Sequence, residues 1–306
     1  MVAPDPNKDK GHFIPSIGPM NSGKTEKMVE DLRKLEMHAK QNVVCFTLAS
    51  NTRDGMNQIK GNNGKRIPAY MIPRDDPEQI LDIIKHEDKK RRVDVIGIEE
   101  ISFFNHDIVY VVDKLMEQNR LTRAVGLDKD FRGEPIDVMT YLKDRVKPEL
   151  LPHIYLNSYC KMIRDDKQCG NLANYTVRLR EYSEPKVGFV DKSGEVVDNL
   201  GFAPYYDTLL LIEDTDEQKK EKKGIEEVVD YTAACEDCFK IPFKEETLFV
   251  YSELLKGKKP EDLSVDKIDK IVNTLVEDKK LKPKKDGSFV AFEYRKDLRT
   301  GLYIPC

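Results

Sequence analysis

The 306-residue chain carries 51 basic and 55 acidic side chains, a formal charge of −4, no tryptophan and six cysteines. The near balance argues against nucleic acid as the main partner, and no apolar run approaches the roughly 20 residues that a membrane-spanning helix needs. The polar start, Met1 to Lys10, holds no secretory apolar core, so a cytoplasmic or nuclear compartment is expected, cytoplasmic first, with room for one large domain plus appendages or two ordinary domains.

Residues 13–17 read as a short apolar strand, and residues 26–38 place Met28, Leu32 and Leu35 at helical spacing. Between them lies Gly18-Pro19-Met20-Asn21-Ser22-Gly23-Lys24-Thr25, which fits G-x-x-x-x-G-K-[ST], a loop whose backbone N–H groups cradle nucleotide phosphates. A strand before the loop and a helix N-terminus after it are the required context, because aligned peptide dipoles favour an anion there. Pro15 is awkward within the first strand, since it removes a ladder donor. Residues 43–48, 93–98 and 123–127 are unbroken apolar or β-branched runs, as in strands buried on both faces. Residues 77–86 and 106–118 supply helix-spaced apolar positions, and residues 51–64, rich in Asn and Gly, read as a flexible loop. Residues 12–150 are therefore expected to form a P-loop α/β domain, a parallel sheet covered by helices.

The run 93–98 ends in Glu99 and Glu100, where a P-loop enzyme places the acid that helps to hold Mg²⁺. Alternation along an extended backbone points the two carboxylates in different directions, so one can face a metal and the other a substrate hydroxyl. The competing reading is a strand that ends in a solvated acidic turn.

Beyond residue 150 the pattern changes. Cys235-x-x-Cys238 has the spacing of half a structural zinc site, and Cys160 and Cys169 are the candidates for the other half. Their separation is wider than usual, and His153 is the nearest histidine alternative to Cys160. Cys45 reads as core, and Cys306 carries no inference. The almost purely charged run 214–223 reads as a surface loop or disordered insert. From residue 245 onward, helices over 246–255 and 265–275 and a Gly-Ser hairpin over 281–304 suggest a small α+β C-terminal appendage. The expected division is 12–150, a small zinc-binding domain over 151–240 with an insert at about 183–223, and an appendage over 241–306.

Several ordered motifs carry a family resemblance. They are the phosphate loop; Asp94-Val95-Ile96-Gly97-Ile98-Glu99-Glu100-Ile101-Ser102-Phe103-Phe104; Gly126-Leu127-Asp128-Lys129-Asp130-Phe131-Arg132-Gly133-Glu134-Pro135; Ala173-Asn174-Tyr175-Thr176-Val177-Arg178; and Tyr231 followed by Cys235 and Cys238. With them the sequence resembles the type II, zinc-containing thymidine kinases over about residues 12–180 and again near 225–240. The resemblance implies transfer of the γ-phosphoryl of ATP to the 5′-hydroxyl of thymidine, with Mg²⁺ accompanying ATP and one structural Zn²⁺. It implies that Gly18, Met20, Asn21, Ser22, Gly23, Lys24, Thr25 and Arg53 bind the ATP phosphates, and that Thr25 and Glu99 serve Mg²⁺. Glu100 matches the catalytic acid that takes the hydroxyl proton. Met20, Phe103, Leu127, Phe131, Thr176 and Tyr231 match the nucleoside pocket and the lasso that closes over it, which the zinc of Cys160, Cys169, Cys235 and Cys238 anchors. The implied partners are thymidine, ATP and further copies of the chain, as a tetramer, or a larger assembly, with neither nucleic acid nor membrane.

Four residues depart from the family pattern: Glu99 stands where Asp is usual, Ser102 where Gln is usual, Asn21 where an aromatic is common and Asn51 where an acid is usual. Three readings follow: an active thymidine kinase, a catalytically weakened relative acting as a structural or regulatory subunit, and a kinase or ATPase with another substrate.

Overall fold

The computed structural model describes residues 11–50, 57–61, 63–181, 183, 185–191, 193–205, 229–242 and 244, with two short strands at 294–296 and 303–305. The first half runs β1 (His12–Ile17), α1 (Lys24–Met37), β2 (Val43–Leu48), β3 (Gln58–Lys60), β4 (Arg66–Pro68), β5 (Tyr70–Ile72), α2 (Gln79–Glu87), β6 (Val95–Ile98), α3 (Asp107–Glu117), β7 (Leu121–Gly126) and α4 (Asp137–Lys143). Five of these strands form a sheet in the order β1-β7-β6-β2-β5, with every recorded pairing parallel.

Period-two alternation explains why the strands read as continuous apolar runs. Val44, Phe46 and Leu48 of β2 and Ile96 and Ile98 of β6 face a core shared with Ile80 and Ile84 of α2, Val111 and Leu115 of α3 and Met139 of α4. Cys45 and Val95 face the opposite core, with Met28, Val29 and Leu32 of α1. Both sheet faces are thus covered. Gly97 lies under α1: a Cβ there would fall 2.6 Å from Leu32 Cδ1.

Pro15 finds its place because β1 is an edge strand of this sheet. The His12 N–H donates to Arg120 on the β7 side, whereas the Ile17 N–H donates outward to the Ile154 carbonyl at 2.8 Å. Alternation aims the donor-less Pro15 nitrogen outward with that of Ile17, where no ladder bond is lost.

The loop expected over 51–64 is corrected in part. Gln58–Lys60 is strand β3, paired antiparallel with β4, and residues 51–56 and 62 lie outside the described set. Strand β5 went unread because three residues carry too little periodicity.

The second half runs β8 (Ser158–Tyr159), β9 (Ile163–Arg164), β10 (Lys167–Gln168), β11 (Leu172–Ala173), β12 (Tyr175–Arg180), β13 (Lys186–Val190), β14 (Val196–Phe202) and β15 (Val229–Ala234). The last four form a sheet in the order β13-β14-β12-β15. Part of the stretch read as an insert is therefore ordered sheet, while the charged run 214–223 lies outside the described residues. So do the helices expected over 246–255 and 265–275. Of the expected terminal hairpin, β16 (Tyr294–Lys296) pairs antiparallel with β17 (Tyr303–Pro305), while Gly287-Ser288 lies outside the described residues.

The chain divides into two compact units, Met1–Gly201 with Leu209–Phe239 and Phe202–Thr208 with Lys240–Cys306. Among the described residues no helix is long and apolar enough to cross a membrane.

Candidate functional site

The phosphate-loop motif occupies the turn from β1 into α1, so the first N–H groups of α1 open onto the loop. Gly18 has φ 146°, and a Cβ there would lie 2.0 Å from the Leu156 carbonyl oxygen. The neighbouring segment presses on the loop because the Leu156 N–H donates to the Ile17 carbonyl at 2.8 Å. Gly23 sits at φ 75° and Asn21 at φ 58°. Asn is among the few residues that enter the left-handed region readily, which gives this departure a backbone reason. Lys24 Nζ donates to the Pro19 carbonyl at 2.6 Å and to Ser22 Oγ at 3.3 Å. Burial lowers its pKa from 10.5 to about 8, with Glu100, Asp128 and Glu26 pulling it back up.

Just past the end of β6 the two acids sit in a turn, where the extended backbone assumed for their alternation does not continue. Glu99 is buried and accepts the Thr47 hydroxyl at 2.9 Å. Glu100 is half-buried with φ 52°, an uncommon backbone for Glu, and is the foremost of the charges acting on Lys24. The solvated acidic turn is not what forms here. Since β7 separates β1 from β6 in the sheet, the residues that follow its C-terminal end, Leu127 and Asp128, leave the sheet between the strands that carry the phosphate loop and the acids.

Ser102 is 3 % exposed and packs against the end of β7. Its Oγ accepts the Leu127 N–H at 3.1 Å, and a Cβ on Gly126 would meet that oxygen at 3.0 Å. The loop after Leu127 is tied up by Asp130, whose carboxylate accepts the N–H groups of Arg132 at 2.8 Å and Glu134 at 3.0 Å. Burial nevertheless pushes the Asp130 carboxyl up from its ordinary range.

The six expected nucleoside residues fall into two contact groups. Phe103, Leu127 and Met20 share one apolar cluster. The Met20 N–H donates to Thr176 Oγ1 on β12 at 3.0 Å, and the Ser158 hydroxyl donates to the Asn21 carbonyl at 3.0 Å, so two bonds join the phosphate loop to the second half of the unit. Phe131 and Tyr231 are bridged by Arg178, whose guanidinium lies 5.6 Å and 5.7 Å from the two ring centres. Buried Arg178 was not singled out from sequence as a site residue, although it shares the face of Thr176 two positions earlier. Thr47, a lone polar residue within a buried strand, carried a signal as well; Ser158 carried none. Arg53 and Asn51 lie outside the described residues.

Cys160, Cys169, Cys235 and Cys238 bring their sulfurs within 4.8 Å of one another. The long spacing from Cys160 to Cys169 is closed by the β9–β10 hairpin, which turns through Asp165 at φ 51° and Asp166 at φ 59°. Two consecutive positive φ values mark the tightest hairpin turn. A tetrahedron of thiolates about 2.3 Å from zinc has edges of about 3.8 Å, and the Cys169 and Cys235 sulfurs are 3.8 Å apart. The donor set therefore fits a zinc ion. Burial pushes the Cys160 and Cys238 thiols up; burial also opposes the Cys235 thiolate, but hydrogen bonds from the Cys238 backbone and neighbouring thiols bring it down. The side chain of His153 lies outside the described set.

The family model described as thymidine kinase matches residues 11–198. A thymidine kinase of Mesoplasma florum is 32% identical over 162 residues, 53% of this chain and 73% of the relative. That of Mycoplasma capricolum is 32% identical over 174 residues, 56% of this chain and 77% of the relative. That of Mycoplasma mycoides is 30% identical over 240 residues, 78% of this chain and 94% of the relative.

Proposed function

The chain belongs to the thymidine kinase family, and from that premise we propose that it transfers the γ-phosphoryl of ATP to the 5′-hydroxyl of thymidine. The observation that carries the reading is the bond from the Met20 N–H to Thr176, which joins the phosphate loop to the strand expected over the nucleoside. Transfer of a phosphoryl group needs alignment and charge neutralisation more than covalent help. Lys24 leaves the Pro19 carbonyl for the β- and γ-phosphates. Glu100, held at the tip of β6, accepts the 5′-hydroxyl proton. Thr25 and Glu99 are the hard-oxygen donors that suit Mg²⁺, which would neutralise phosphate charge; Thr47 keeps the Glu99 carboxylate in place. Met20, Phe103, Leu127 and Phe131 wall the base, with Thr176 and Tyr231 above it. The four cysteines would hold one structural Zn²⁺ outside the chemistry.

The test is conversion of labelled thymidine to its monophosphate by purified protein with Mg²⁺ and ATP. Loss of a positioned base costs about 10²–10⁴-fold, so Glu100→Gln should lower kcat by that factor at intact fold. Equal rates for the two proteins remove Glu100 from the role. Preference for another nucleoside overturns the substrate, and no turnover of any nucleoside leaves the weakened-subunit reading in its place.

A further inference from the structure

Phe239 directly follows the last cysteine of the metal-binding quartet. The N–H groups of Cys238 and Phe239 both donate to the Cys235 carbonyl, at 3.1 Å and 2.9 Å, so the turn that sets the cysteines also sets the backbone of Phe239. The Phe239 ring stacks on Tyr175 with centroids 4.2 Å apart and planes 18° from parallel. Lys129 Nζ lies 4.5 Å from the centre of the same Tyr175 ring. On the loop side Gly133, at φ 76°, comes so close that a Cβ there would sit 2.9 Å from Phe239 Cζ and 3.5 Å from Tyr175 Cε1. Three chain segments therefore meet on two rings: the cysteine turn, the first residue of β12, and the loop from Leu127 to Pro135.

We infer that Phe239 is a positioning residue through which the four-cysteine site orders the loop carrying Leu127 and Phe131, and so sets the affinity for nucleoside. The reading of that loop as a pocket wall rests on the proposed function. Phe131 is 6 % exposed and touches Arg178, and its place in the loop depends on the Asp130 bonds between residues 130 and 134. Those bonds close a turn that grips Phe239 through Gly133 and Tyr175 through Lys129. Tyr175 also precedes Thr176, the residue that accepts the Met20 N–H, so the same stack steadies the phosphate-loop side of the pocket. Stacked aromatic pairs prefer this offset, near-parallel arrangement and hold two backbones at a fixed separation. A leucine fills much of the volume without that orientation.

The experiment compares wild type, Phe239→Leu and Phe239→Tyr at equal metal content, each with one zinc per chain by elemental analysis. Hydrogen exchange of the amides at 130–134 is the first readout, and it requires no turnover. In wild type, removal of zinc by a chelator should speed that exchange; zinc-loaded Phe239→Leu should exchange as fast as metal-free wild type, and Phe239→Tyr should restore protection. The second readout is kinetic: Phe239→Leu raises the KM for thymidine roughly two- to tenfold, as loss of one aromatic stack predicts, while kcat and the KM for ATP stay near wild type. Unchanged exchange and unchanged KM in zinc-loaded Phe239→Leu overturn the inference, as does an equal fall in kcat. If Phe239→Leu loses its metal or does not fold, Tyr175→Leu decides, since it removes the stack from the other side; wild-type exchange there overturns the inference. A wild type that does not phosphorylate thymidine sinks the proposed function and leaves the exchange result standing on its own.

Discussion

Lys24 shows how much one charge in the phosphate loop controls. Its ammonium is buried against the loop's own carbonyl, and its pKa falls to about 8. Bound phosphates restore the charged form, so ATP binding at pH 8 should take up about half a proton, a value that calorimetry in buffers of different ionisation enthalpy reads directly. Lys24→Met should abolish that uptake together with phosphoryl transfer. The same shift acts on stability. Because the folded-state pKa lies below the unfolded 10.5, the unfolded chain binds more protons between pH 8 and 10.5, and the ligand-free protein should gain stability as pH rises through that window. In urea titrations Lys24→Met should flatten this rise, and an unchanged slope would refute the burial of the ammonium. Glu99 and Ser102 make a complementary point: each departs from the family's usual residue, and each is fitted to a neighbour, Thr47 in one case and the Leu127 N–H in the other.

At the level of elements, the phosphate loop depends on a segment far along the chain. Residues 154–156 lie beside the end of β1 and bring the Leu156 carbonyl against Gly18. Gly18→Ala should therefore cost about 2–5 kcal/mol in urea unfolding, from backbone strain plus a clash that no rotamer relieves. Gly64→Ala is the control: its φ of 79° is also positive, but no atom lies within 4 Å of the added Cβ, so about 1 kcal/mol is expected. Similar costs for both would mean that residues 154–156 do not hold that register in solution. Such a contact has no signature in the local sequence, because Ile154, Tyr155 and Leu156 reveal neither pairing nor partner until β1 is known to lie at the sheet edge.

For the molecule as a whole, the four cysteines link distant parts of one compact unit, since Cys160 and Cys169 lie among β8 to β11 and Cys235 and Cys238 follow β15. A closed tetrahedral site contributes folding energy on metal binding. The purified protein should contain one zinc per chain, and chelation should lower Tm by roughly 10 °C, which corresponds to a few kcal/mol at about 2–4 °C each for a chain of this size. Cys160→Ser should lose metal and stability, whereas His153→Ala should keep both. The reverse outcome would replace Cys160 with His153 as the fourth ligand, and absence of zinc from carefully prepared protein would count against the lasso arrangement.

The phosphate loop, the alternation of buried strands with amphipathic helices, and the strand ending in two acids were legible because each is a local pattern fixed by backbone geometry: a strand-to-helix turn with glycine, a period near 3.6, a period of 2. The Cys235-x-x-Cys238 half of the cysteine cluster was legible for the same reason. Only tertiary structure decided what depends on strand order and on distant partners. Pro15 is tolerated because β1 is an edge, and Cys160 reaches Cys169 because Asp165 and Asp166 turn a hairpin that spacing alone argued against. Glu99 is held by the hydroxyl of Thr47 on the adjoining strand, and Phe239 comes against the loop because Gly133 has no side chain to hold it away. Sequence records the chemical groups and their local spacing; which groups meet across the fold is set by packing, where a single absent Cβ or one strand's place in a sheet decides the contact.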